Sequence, residues 1–341
     1  MPSFMLKLSV LDQTPIRSGG TAMQAIDETL ELARVTEELG YHRYWLAEHH
    51  GTEGLAGCSP EILIARVAAV TSRIRVGSGG VMLSHYSPLK VAENFSLLAT
   101  MYPDRIDVGL GRAPGGDQLT TLGMAYGSNI GVEYYPTKII DLKAFLNGTE
   151  LANQALARVK ITPKPEVPPE MWLLGSSDES AKLAAMFGLP YSFAHFIHPE
   201  GAEDILKLYR DNFEPSDILS EPRANMCVGV VCAETQEEAD HLALSRKLWR
   251  LQLTKGELGP YPTPEEAEAY PYKERERSIA ESANRTGLVG PPDKIKHEIE
   301  NLAAKCGIDE MMLVTITHDF EARKKSYALV SDAFGLTQTA A

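Results

Sequence analysis

Residues 171–187 contain a complete strand-and-helix unit, with the sequence MWLLGSSDESAKLAAMF. The apolar run Met171–Leu174 has the length of a buried strand, and Asp178–Phe187 is interpreted as a helix. The intervening Gly-Ser-Ser supplies a turn and a serine suited to the N-cap of that helix. A strand that passes directly into a helix is the repeating unit of α/β proteins, so this stretch predicts a parallel sheet covered by helices.

The same alternation runs through the rest of the chain and predicts eight strands. They are predicted at Leu6–Leu11, Tyr41–Ala47, Arg75–Leu83, Arg105–Gly111, Met171–Leu174, Tyr191–Phe196, Asn225–Cys232 and Met311–Ile316. Eight parallel strands close a barrel, whereas an open doubly wound sheet usually has fewer strands and a topological switch point. The predicted fold is therefore α/β, a (β/α)8 TIM barrel that takes up residues 1–341 as a single domain.

Two segments are longer than ordinary loops and are predicted to be insertions after strands 4 and 7. The first is Ala113–Tyr135, and the second runs from about Glu234 to Gly290. Both leave the carboxyl ends of strands, where the active sites of such barrels are built. Each is either surface decoration or part of the site. The second insertion, residues 234–290, is expected to form a lid over the active site.

Composition and charge narrow the range of functions. The chain has 341 residues, of which 44% are apolar and 23% charged, as in an ordinary soluble globular protein. It carries 33 Lys and Arg against 46 Asp and Glu, a formal net charge of -13. Because nucleic-acid affinity depends largely on basic charge, this balance disfavours a nucleic-acid partner. No apolar run approaches the roughly 20 residues that cross a bilayer, so no membrane partner is expected.

The expected location is the cytoplasm. The segment Met1–Lys7 has no basic stretch followed by an apolar run and a small-residue cleavage site, so no signal peptide is predicted. Cys58, Cys227, Cys232 and Cys306 are far apart and show neither a C-x-x-C motif nor zinc-ligand spacing. A reduced compartment suits such isolated thiols best.

Glu48, His49 and His50 follow the second predicted strand. Neighbouring strand residues point to opposite sides, so one histidine is expected to face the barrel mouth. The group is either a polar strand end, a metal site, or a general acid/base and cofactor contact. No other strand end offers a matching ligand pair, and a metal is therefore disfavoured.

The third strand contains three glycines in four residues, Gly77-Ser78-Gly79-Gly80. Glycine weakens a strand interior, so such a run indicates a bulge or the close approach of a ligand to the backbone. The alternative is tight packing of a helix against the outside of the barrel.

An arginine and two serines at neighbouring strand ends predict a phosphate site. Arg112 follows the fourth strand, in a glycine-rich segment whose G-x-G-x-x-G pattern fails at Pro114. Ser176 and Ser177 stand at the start of a helix, where free backbone N–H groups attract anions. Arginine binds phosphate in a bidentate way. The alternatives are an ion pair of Arg112 with Asp117 or Glu48, and a simple N-cap at the serines.

His195 stands near the end of the sixth predicted strand, within Phe193–Phe196. A lone histidine among apolar residues is often a core residue, but the carboxyl end of a barrel strand is also where functional residues lie. Both interpretations stay open, and His195 is included among the candidate cofactor-binding residues.

Four motifs occur in one order that resembles the bacterial-luciferase-like family of flavin-dependent monooxygenases, and a fifth, at the C-terminal end, resembles a subgroup of that family with broad oxidoreductase assignments. They cover residues 44–50 (YWLAEHH), 76–81 (VGSGGV), 105–112 (RIDVGLGR), 174–177 (LGSS) and 312–319 (MLVTITHD). The resemblance covers nearly the whole chain and implies a TIM barrel that binds reduced FMN and reacts it with O2. It also implies a separate NAD(P)H:flavin reductase that supplies FMNH2, and a homodimer built on helices at about 60–72 and 88–101.

The resemblance also assigns roles to individual residues. Arg112 would hold the FMN phosphate together with Ser176 and Ser177, while Glu48, Ser78, Gly175 and His195 would be further cofactor contacts. Gly79-Gly80 matches the place of a non-prolyl cis peptide under the flavin ring, and His49 matches a catalytic acid/base histidine. Gly111 departs from the pattern, because luciferase itself has a reactive cysteine there. Since the second insertion also differs, light emission and a long-chain aldehyde substrate are not expected.

Four functions follow as hypotheses, led by a two-component FMN-dependent monooxygenase acting on a small organic substrate. The alternatives are a deazaflavin (F420)-dependent hydride-transfer oxidoreductase and a non-catalytic flavin-binding protein. F420 would need basic residues for its acidic tail, and only Arg112 is apparent in the glycine-rich mouth. A metal-dependent barrel hydrolase is opposed by the missing ligand set.

Overall fold

The structure, a computed structural model, describes residues 6–113, 115–128, 131–257, 259–282 and 286–336. Residues 1–5 lie outside the described residues, and they make up most of the segment on which the signal-peptide prediction rests. Pro114 and small parts of both predicted insertions also lie outside. The strands are β1 (Lys7–Asp12), β2 (Arg43–Leu46), β3 (Arg75–Met82), β4 (Ile106–Gly111), β5 (Glu170–Gly175), β6 (Tyr191–Ala194), β7 (Ala224–Cys232), β8 (Gly287–Gly290) and β9 (Glu310–Val314).

The helices cover the outside of these strands and fill the two insertions. They are α1 (Ala22–Glu38), α2 (Pro60–Val70), α3 (Pro88–Met101), α4 (Gln118–Ala125), α5 (Tyr135–Asn147), α6 (Asp178–Met186), α7 (Ala202–Asp211), α8 (Gln236–Leu242), α9 (Leu244–Lys255), α10 (Pro264–Ala269), α11 (Glu274–Ser282), α12 (Pro292–Cys306) and α13 (Phe320–Phe334).

Eight parallel strands close into a barrel, which confirms the predicted TIM-barrel fold. The order runs from β1 to β7 without a break, and β9 completes the ring by pairing with both β7 and β1. The predicted eighth strand is β9. The short β8 was not predicted, because four residues with a glycine at each end give a weak strand signal. It pairs with the carboxyl-terminal half of β7, beyond the ring.

The helix starts follow the sequence only in part. Thr21 and Gln24 form a capping box at the start of α1. Pro60 and Pro88 stand in the first turns of α2 and α3, where proline is favoured. Ser59 and Ser87, which precede these prolines, accept no capping hydrogen bond from the helices that they begin.

A buried ion network closes the amino-terminal end of the barrel. Arg43 Nη1 lies 2.8 Å from Asp107 Oδ2, and Arg43 Nε lies 2.9 Å from Glu310 Oε1. Asp107 also accepts a hydrogen bond of 2.9 Å from the indole N–H of Trp45. The ring of Trp45 packs edge-on against Trp172, with centroids 5.5 Å apart. This layer holds two large rings as a rigid floor for the carboxyl-terminal mouth.

The two insertions are largely helical. The first contains α4, whose N-cap Asp117 accepts from the Thr120 N–H at 2.7 Å. The second contains α8 to α11 and β8 within residues 234–290. Tyr261 fastens this second insertion to the barrel: its hydroxyl donates to the Ile316 carbonyl at 3.0 Å, and its N–H donates to the Ile16 carbonyl at 2.7 Å.

Candidate active site

Two adjoining cavities occupy the carboxyl-terminal mouth of the barrel. The first cavity has a volume of about 250 Å³ and is lined by the ends of β3 to β6 together with Trp45 and Met312. The second cavity, of about 220 Å³, lies between β7, β9 and helix α9 of the second insertion. Phe196 and Ile197 line both cavities and form the boundary between them.

The first cavity brings together six of the candidate cofactor-binding residues. These are Gly79, Gly80, Arg112, Gly175, Ser176 and Ser177. They come from β3, β4 and β5, whose carboxyl ends meet at the barrel mouth as predicted. One end of the cavity carries the cation and the hydroxyls, while Leu11, Trp45 and Leu174 contribute apolar surface elsewhere.

Gly79 and Gly80 let the backbone of β3 form part of the cavity wall. Their peptide bond is cis, which confirms the prediction. A Cβ at Gly79 would stand 2.6 Å from Leu11 Cδ1 and 3.1 Å from Trp45 Cβ, and one at Gly80 would stand 2.8 Å from the Gly109 carbonyl oxygen. The position therefore has no room for side chains, and the main chain itself is presented to the cavity.

Ser78 and Glu48 support this wall and are not among the residues that line the first cavity. The Ser78 hydroxyl donates to the Gly109 carbonyl at 2.9 Å and accepts from the Gly109 N–H at 3.0 Å. Glu48 is buried, and its Oε2 accepts from the Met82 N–H at 2.9 Å. Both side chains hold β3 in place on either side of Gly79 and Gly80.

Glu48 also organises the polar side of the loop after β2. Its Oε1 accepts from the Tyr86 hydroxyl at 2.7 Å and lies 2.7 Å from His50 Nε2. Burial and the adjacent carboxylate raise the pKa of Tyr86, so its hydroxyl stays protonated and donates. His50 is thereby turned toward Glu48, while His49 faces the second cavity. One histidine of the pair reaches a cavity, as the sequence predicted.

Arg112 is partnered by a residue that the sequence analysis did not consider. Its Nη1 forms an ion pair with Glu179 in the first turn of α6, and neither Asp117 nor Glu48 is its partner. The pair is largely solvent-exposed, at 39% for the arginine side chain and 62% for the glutamate. Asp178 points away and pairs with Lys182 at 2.8 Å. The carboxylate that would compete with a bound anion for Arg112 is therefore that of Glu179.

The two serines before α6 differ in their contacts. Ser177 is the N-cap, since its hydroxyl accepts from the Ser180 N–H within a capping box. The hydroxyl of Ser176 has no hydrogen-bond partner among the described residues and lines the first cavity. The start of α6 therefore offers a free hydroxyl beside Arg112.

His195 is buried and His49 is half-buried, and each is a neutral imidazole with a buried, unpaired nitrogen. Burial, with a smaller contribution from nearby His50, lowers the pKa of His49 to about 4, and its Nδ1 has no partner in the described structure. Burial also lowers the pKa of His195, whose Nδ1 is likewise unpaired. His195 follows β6 directly and does not line either cavity.

Several lining residues were missed by the sequence analysis. In the first cavity they include Trp45 and Cys227, and burial holds the pKa of the Cys227 thiol well above the ordinary value. In the second cavity they include Arg246, Trp249 and Arg250 of α9. The four-residue spacing of the two arginines was the available signal, because it places both on one helix face.

Two possible features do not occur in the part of the chain that the structure describes. No group of three His, Cys, Asp or Glu side chains is arranged to hold a metal ion. No helix there is both long and apolar enough to cross a membrane.

Known proteins resemble this chain along nearly its whole length. A family model described as luciferase-like monooxygenase matches residues 6–310. Uncharacterized protein YceB of Bacillus subtilis is 41% identical over 97% of this chain and 100% of its own length. An N-acetyl-S-alkylcysteine monooxygenase of the same organism is 37% identical over 96% of this chain and 98% of its own. The crystal structure of apo-MsnO8 superposes with a TM-score of 0.87 at 36% identity, covering 98% of both chains.

Proposed function

Because the chain belongs to the luciferase-like monooxygenase family, we propose that it is a two-component monooxygenase that uses reduced FMN and O2. The observation that carries this proposal is the first cavity, which joins a cationic, hydroxyl-rich end to an apolar, glycine-walled chamber. FMN has an anionic phosphate, which matches the cationic end, and a flat ring system, which matches the apolar chamber. The chemical character of the cavity therefore fits this cofactor.

The phosphate would be held at the end of the first cavity that carries Arg112. Arginine can donate two parallel hydrogen bonds to a phosphate. Ser176 adds a free hydroxyl, and the nine-residue helix α6 directs its unpaired backbone N–H groups toward the same side. Ser177 would contribute through the backbone more than through its hydroxyl, which caps the helix. Glu179 would have to release Arg112 on binding.

The ring system would lie against the wall formed by Gly79 and Gly80. Leu11 and Trp45 pack against this wall, and Gly175 at the end of β5 lines the same cavity. Bound reduced FMN supplies the electrons for activating O2, and the protein contributes orientation and exclusion of water. Cys227 stays a thiol at neutral pH and takes no part as a nucleophile.

His49 is the proposed acid/base residue. Its low pKa leaves the imidazole neutral at pH 7, so one ring nitrogen can accept a proton while the N–H of the other donates a hydrogen bond. It lines the second cavity next to Gln13, Leu55 and Tyr261, close to the boundary with the first cavity. A substrate in the second cavity could thus exchange a proton with His49 while facing the flavin past Phe196 and Ile197.

The second insertion is proposed to cover the substrate. Helix α9 supplies one wall of the second cavity, and Tyr261 anchors the Pro- and Gly-rich segment 259–264 to the loop after β1. Such a cover excludes water from reactive species formed inside. The 37% identical relative is named an N-acetyl-S-alkylcysteine monooxygenase. N-acetyl-S-alkylcysteines are therefore the first substrates to test.

A homodimer and a reductase partner are also part of the proposal. Ile62 of α2 is 64% exposed, and Leu97 and Met101 of α3 are 49% and 48% exposed. These apolar side chains lie on the two helices where the family resemblance implies a dimer interface. Ile62→Asp is expected to convert a dimer to monomers in light-scattering measurements. The reductase would act by delivering FMNH2 through solution.

The F420 alternative is less well supported by the described cavity. Arg112 is the only cation among the described residues that line the first cavity, whereas the acidic tail of F420 would need several. A flavin carrier without turnover would have no use for His49 or for a second cavity beside the first. The experiment therefore has to distinguish FMN from F420 and a monooxygenase from a flavin carrier.

The test combines flavin titration with isotope incorporation. The purified protein is titrated with FMN, with FMNH2 under anaerobic conditions, and with F420, and it is then supplied with FMNH2, ¹⁸O2 and N-acetyl-S-alkylcysteines. We expect binding of FMNH2 more tightly than FMN, no binding of F420, and one ¹⁸O atom in the product. Failure to bind FMN in either redox state would refute the proposal. FMN binding without ¹⁸O incorporation into any organic substrate would favour the carrier.

A further inference from the structure

The described residues that line the second cavity include two arginines but no acidic side chain. Arg246 and Arg250 project from α9 into a chamber otherwise built mostly from apolar and aromatic side chains, including Trp249, Tyr261 and Val314. None of the described residues that line it is Asp or Glu. Charged side chains in such surroundings are costly unless they are paired. Two cations without a counter-charge therefore call for an anionic ligand.

Arg246 is held in a cradle built for its guanidinium group. A Cβ at Gly229 would stand 2.8 Å from Nη2, and one at Gly287 would stand 1.5 Å from Nη1. The two glycines are register partners in β7 and β8, so the guanidinium rests on their paired backbones. Nη2 donates to the carbonyl and the hydroxyl of Thr286, both at 2.8 Å. Nε and Nη1 have no partner among the described residues.

Arg250 lies one helical turn from Arg246 and is less constrained. Its side chain is partly buried and forms no hydrogen bond or ion pair in the described structure. Burial lowers the pKa of Arg246 to about 10, opposed by Tyr261 and reinforced by the nearby charge of Arg250, and burial lowers the pKa of Arg250 too. Both groups still carry their charge at pH 7. Their mutual repulsion would be relieved by one anion between them.

Unpaired polar atoms elsewhere in the chamber point to a ligand of mixed character. The indole N–H of Trp249 and Nδ1 of His49 are buried without partners. Gln13 adds a polar amide, and most of the remaining lining, including Leu55, Val231 and Ile316, is apolar. A ligand that complements this lining in charge and polarity has an apolar body and one acidic group.

We propose that the second cavity binds an apolar carboxylic acid, with its carboxylate between Arg246 and Arg250. This inference rests on the proposed function, in which the second cavity holds the substrate, and it adds that Arg246 and Arg250 bind the acid group of that substrate. The acid group would be fixed at α9, so the apolar body would extend toward His49 and the boundary with the first cavity. Oxygenation would then take place at a site remote from the carboxylate.

Matched pairs of acids and amides test the charge requirement. Hexanoate, octanoate and 4-phenylbutyrate are compared with their primary amides by isothermal titration calorimetry on the full-length protein. At least one acid is expected to bind tenfold or more tightly than its amide. Equal binding of every acid and its amide, or no binding of any acid, would overturn the proposal.

Arg250→Gln and Lys247→Gln separate a specific site from general electrostatics. Both variants remove one positive charge from α9, but Lys247 does not line the cavity. Arg250→Gln should abolish the preference for the acid and leave amide binding unchanged, whereas Lys247→Gln should resemble the wild type. Because the Arg250 side chain has no hydrogen bond or ion pair with any described residue, its variant should unfold at the temperature of the wild type. Equal losses in both variants would overturn the proposal.

FMN titration of the same variants keeps this inference distinct from the proposed function. Unchanged FMN affinity in Arg250→Gln together with loss of acid binding supports an acid site separate from the flavin. Loss of FMN affinity in this variant would assign the arginine to the cofactor and overturn the acid site. If the wild type binds acids selectively but never FMN, the acid site stands while the proposed function fails.

Discussion

Arg112 and Glu179 form an ion pair between the end of β4 and the first turn of α6, at the edge of the first cavity. The arginine that would hold a phosphate is thus occupied by a carboxylate in the absence of ligand. Exposed pairs of this kind contribute only about 0–1 kcal/mol, so an incoming phosphate can displace the glutamate at small cost. The pair keeps Arg112 oriented beside Ser176.

Arg112→Ala tests whether the arginine recognises the phosphate. Riboflavin has the same ring system as FMN but no phosphate, so it measures ring binding alone. The variant should bind FMN about 10- to 100-fold more weakly, the equivalent of a charged hydrogen-bonded contact, and should bind riboflavin as the wild type does. Fluorescence titration with both flavins gives the comparison. Equal losses for the two flavins would assign Arg112 to the structure of the loop.

Glu179→Gln should have the opposite effect. The substitution removes a carboxylate that competes for Arg112 and repels a bound phosphate, so FMN should bind about two- to fivefold more tightly. Asp178→Asn is the matched control, because it removes the same charge one residue earlier, at a side chain paired with Lys182. The same titration should show the control close to wild type. An equal gain in both variants would indicate a long-range charge effect.

Glu48 should matter for stability as well as for the site. It accepts from the Met82 N–H, from the Tyr86 hydroxyl and from His50 while fully buried. The amide of Glu48→Gln has one oxygen in place of two, so at least one buried donor loses its partner at a cost of about 1–3 kcal/mol. Urea unfolding measures this loss. Tyr86→Phe removes a donor and leaves the carboxylate paired, so it should cost about 1 kcal/mol, and a reversed ranking would contradict this account.

His49 should make the protein less stable in mild acid. Its pKa is about 4 in the folded protein and has the ordinary value of about 6.5 in the unfolded chain. The unfolded state therefore binds more protons between these values, and stability falls as the pH drops from about 6.5 to 4. Replacement by glutamine should reduce this slope by up to about 1.4 kcal/mol per pH unit. Urea unfolding at several pH values measures the slope.

His42 provides the control for that measurement. Burial lowers its pKa to about 3, which gives the same sign of pH dependence at the opposite end of the barrel. His42→Gln should flatten the stability profile without changing substrate oxidation, whereas His49→Gln should also lose oxidation while retaining flavin. Unchanged oxidation in His49→Gln would show that this histidine is structural.

The barrel and one half of its mouth could be predicted from the sequence. Parallel strands put their carboxyl ends at one edge, so Arg112, Ser176 and the Gly79-Gly80 peptide had to lie near each other once the strands were identified. Side-chain direction was less predictable. Strand β2 ends at Leu46, so the alternation rule no longer applies at Glu48, which turns to the Met82 N–H and holds the wall from outside the cavity.

The other half of the mouth depends on tertiary packing that the alternation of strands and helices does not encode. Helix α9 belongs to an insertion, and its position over β7 and β9 depends on contacts such as that of Tyr261 with Ile316. The sequence gives no reason for glycine at positions 229 and 287. The structure supplies one, because the guanidinium of Arg246 packs against both paired residues. A four-residue arginine spacing alone would have suggested a solvated helix face.

Gly287→Ala tests the cradle under Arg246 without changing any charge. The added Cβ would stand 1.5 Å from Nη1, so the guanidinium has to move away from its place beside Thr286. Acid binding should weaken at least tenfold by calorimetry, while FMN affinity stays at the wild-type value. Gly259→Ala is the matched control in the same insertion, because a Cβ there has no atom within 4 Å. Acid affinity that survives in Gly287→Ala, with circular dichroism showing a folded protein, would mean that the position of Arg246 does not determine acid binding.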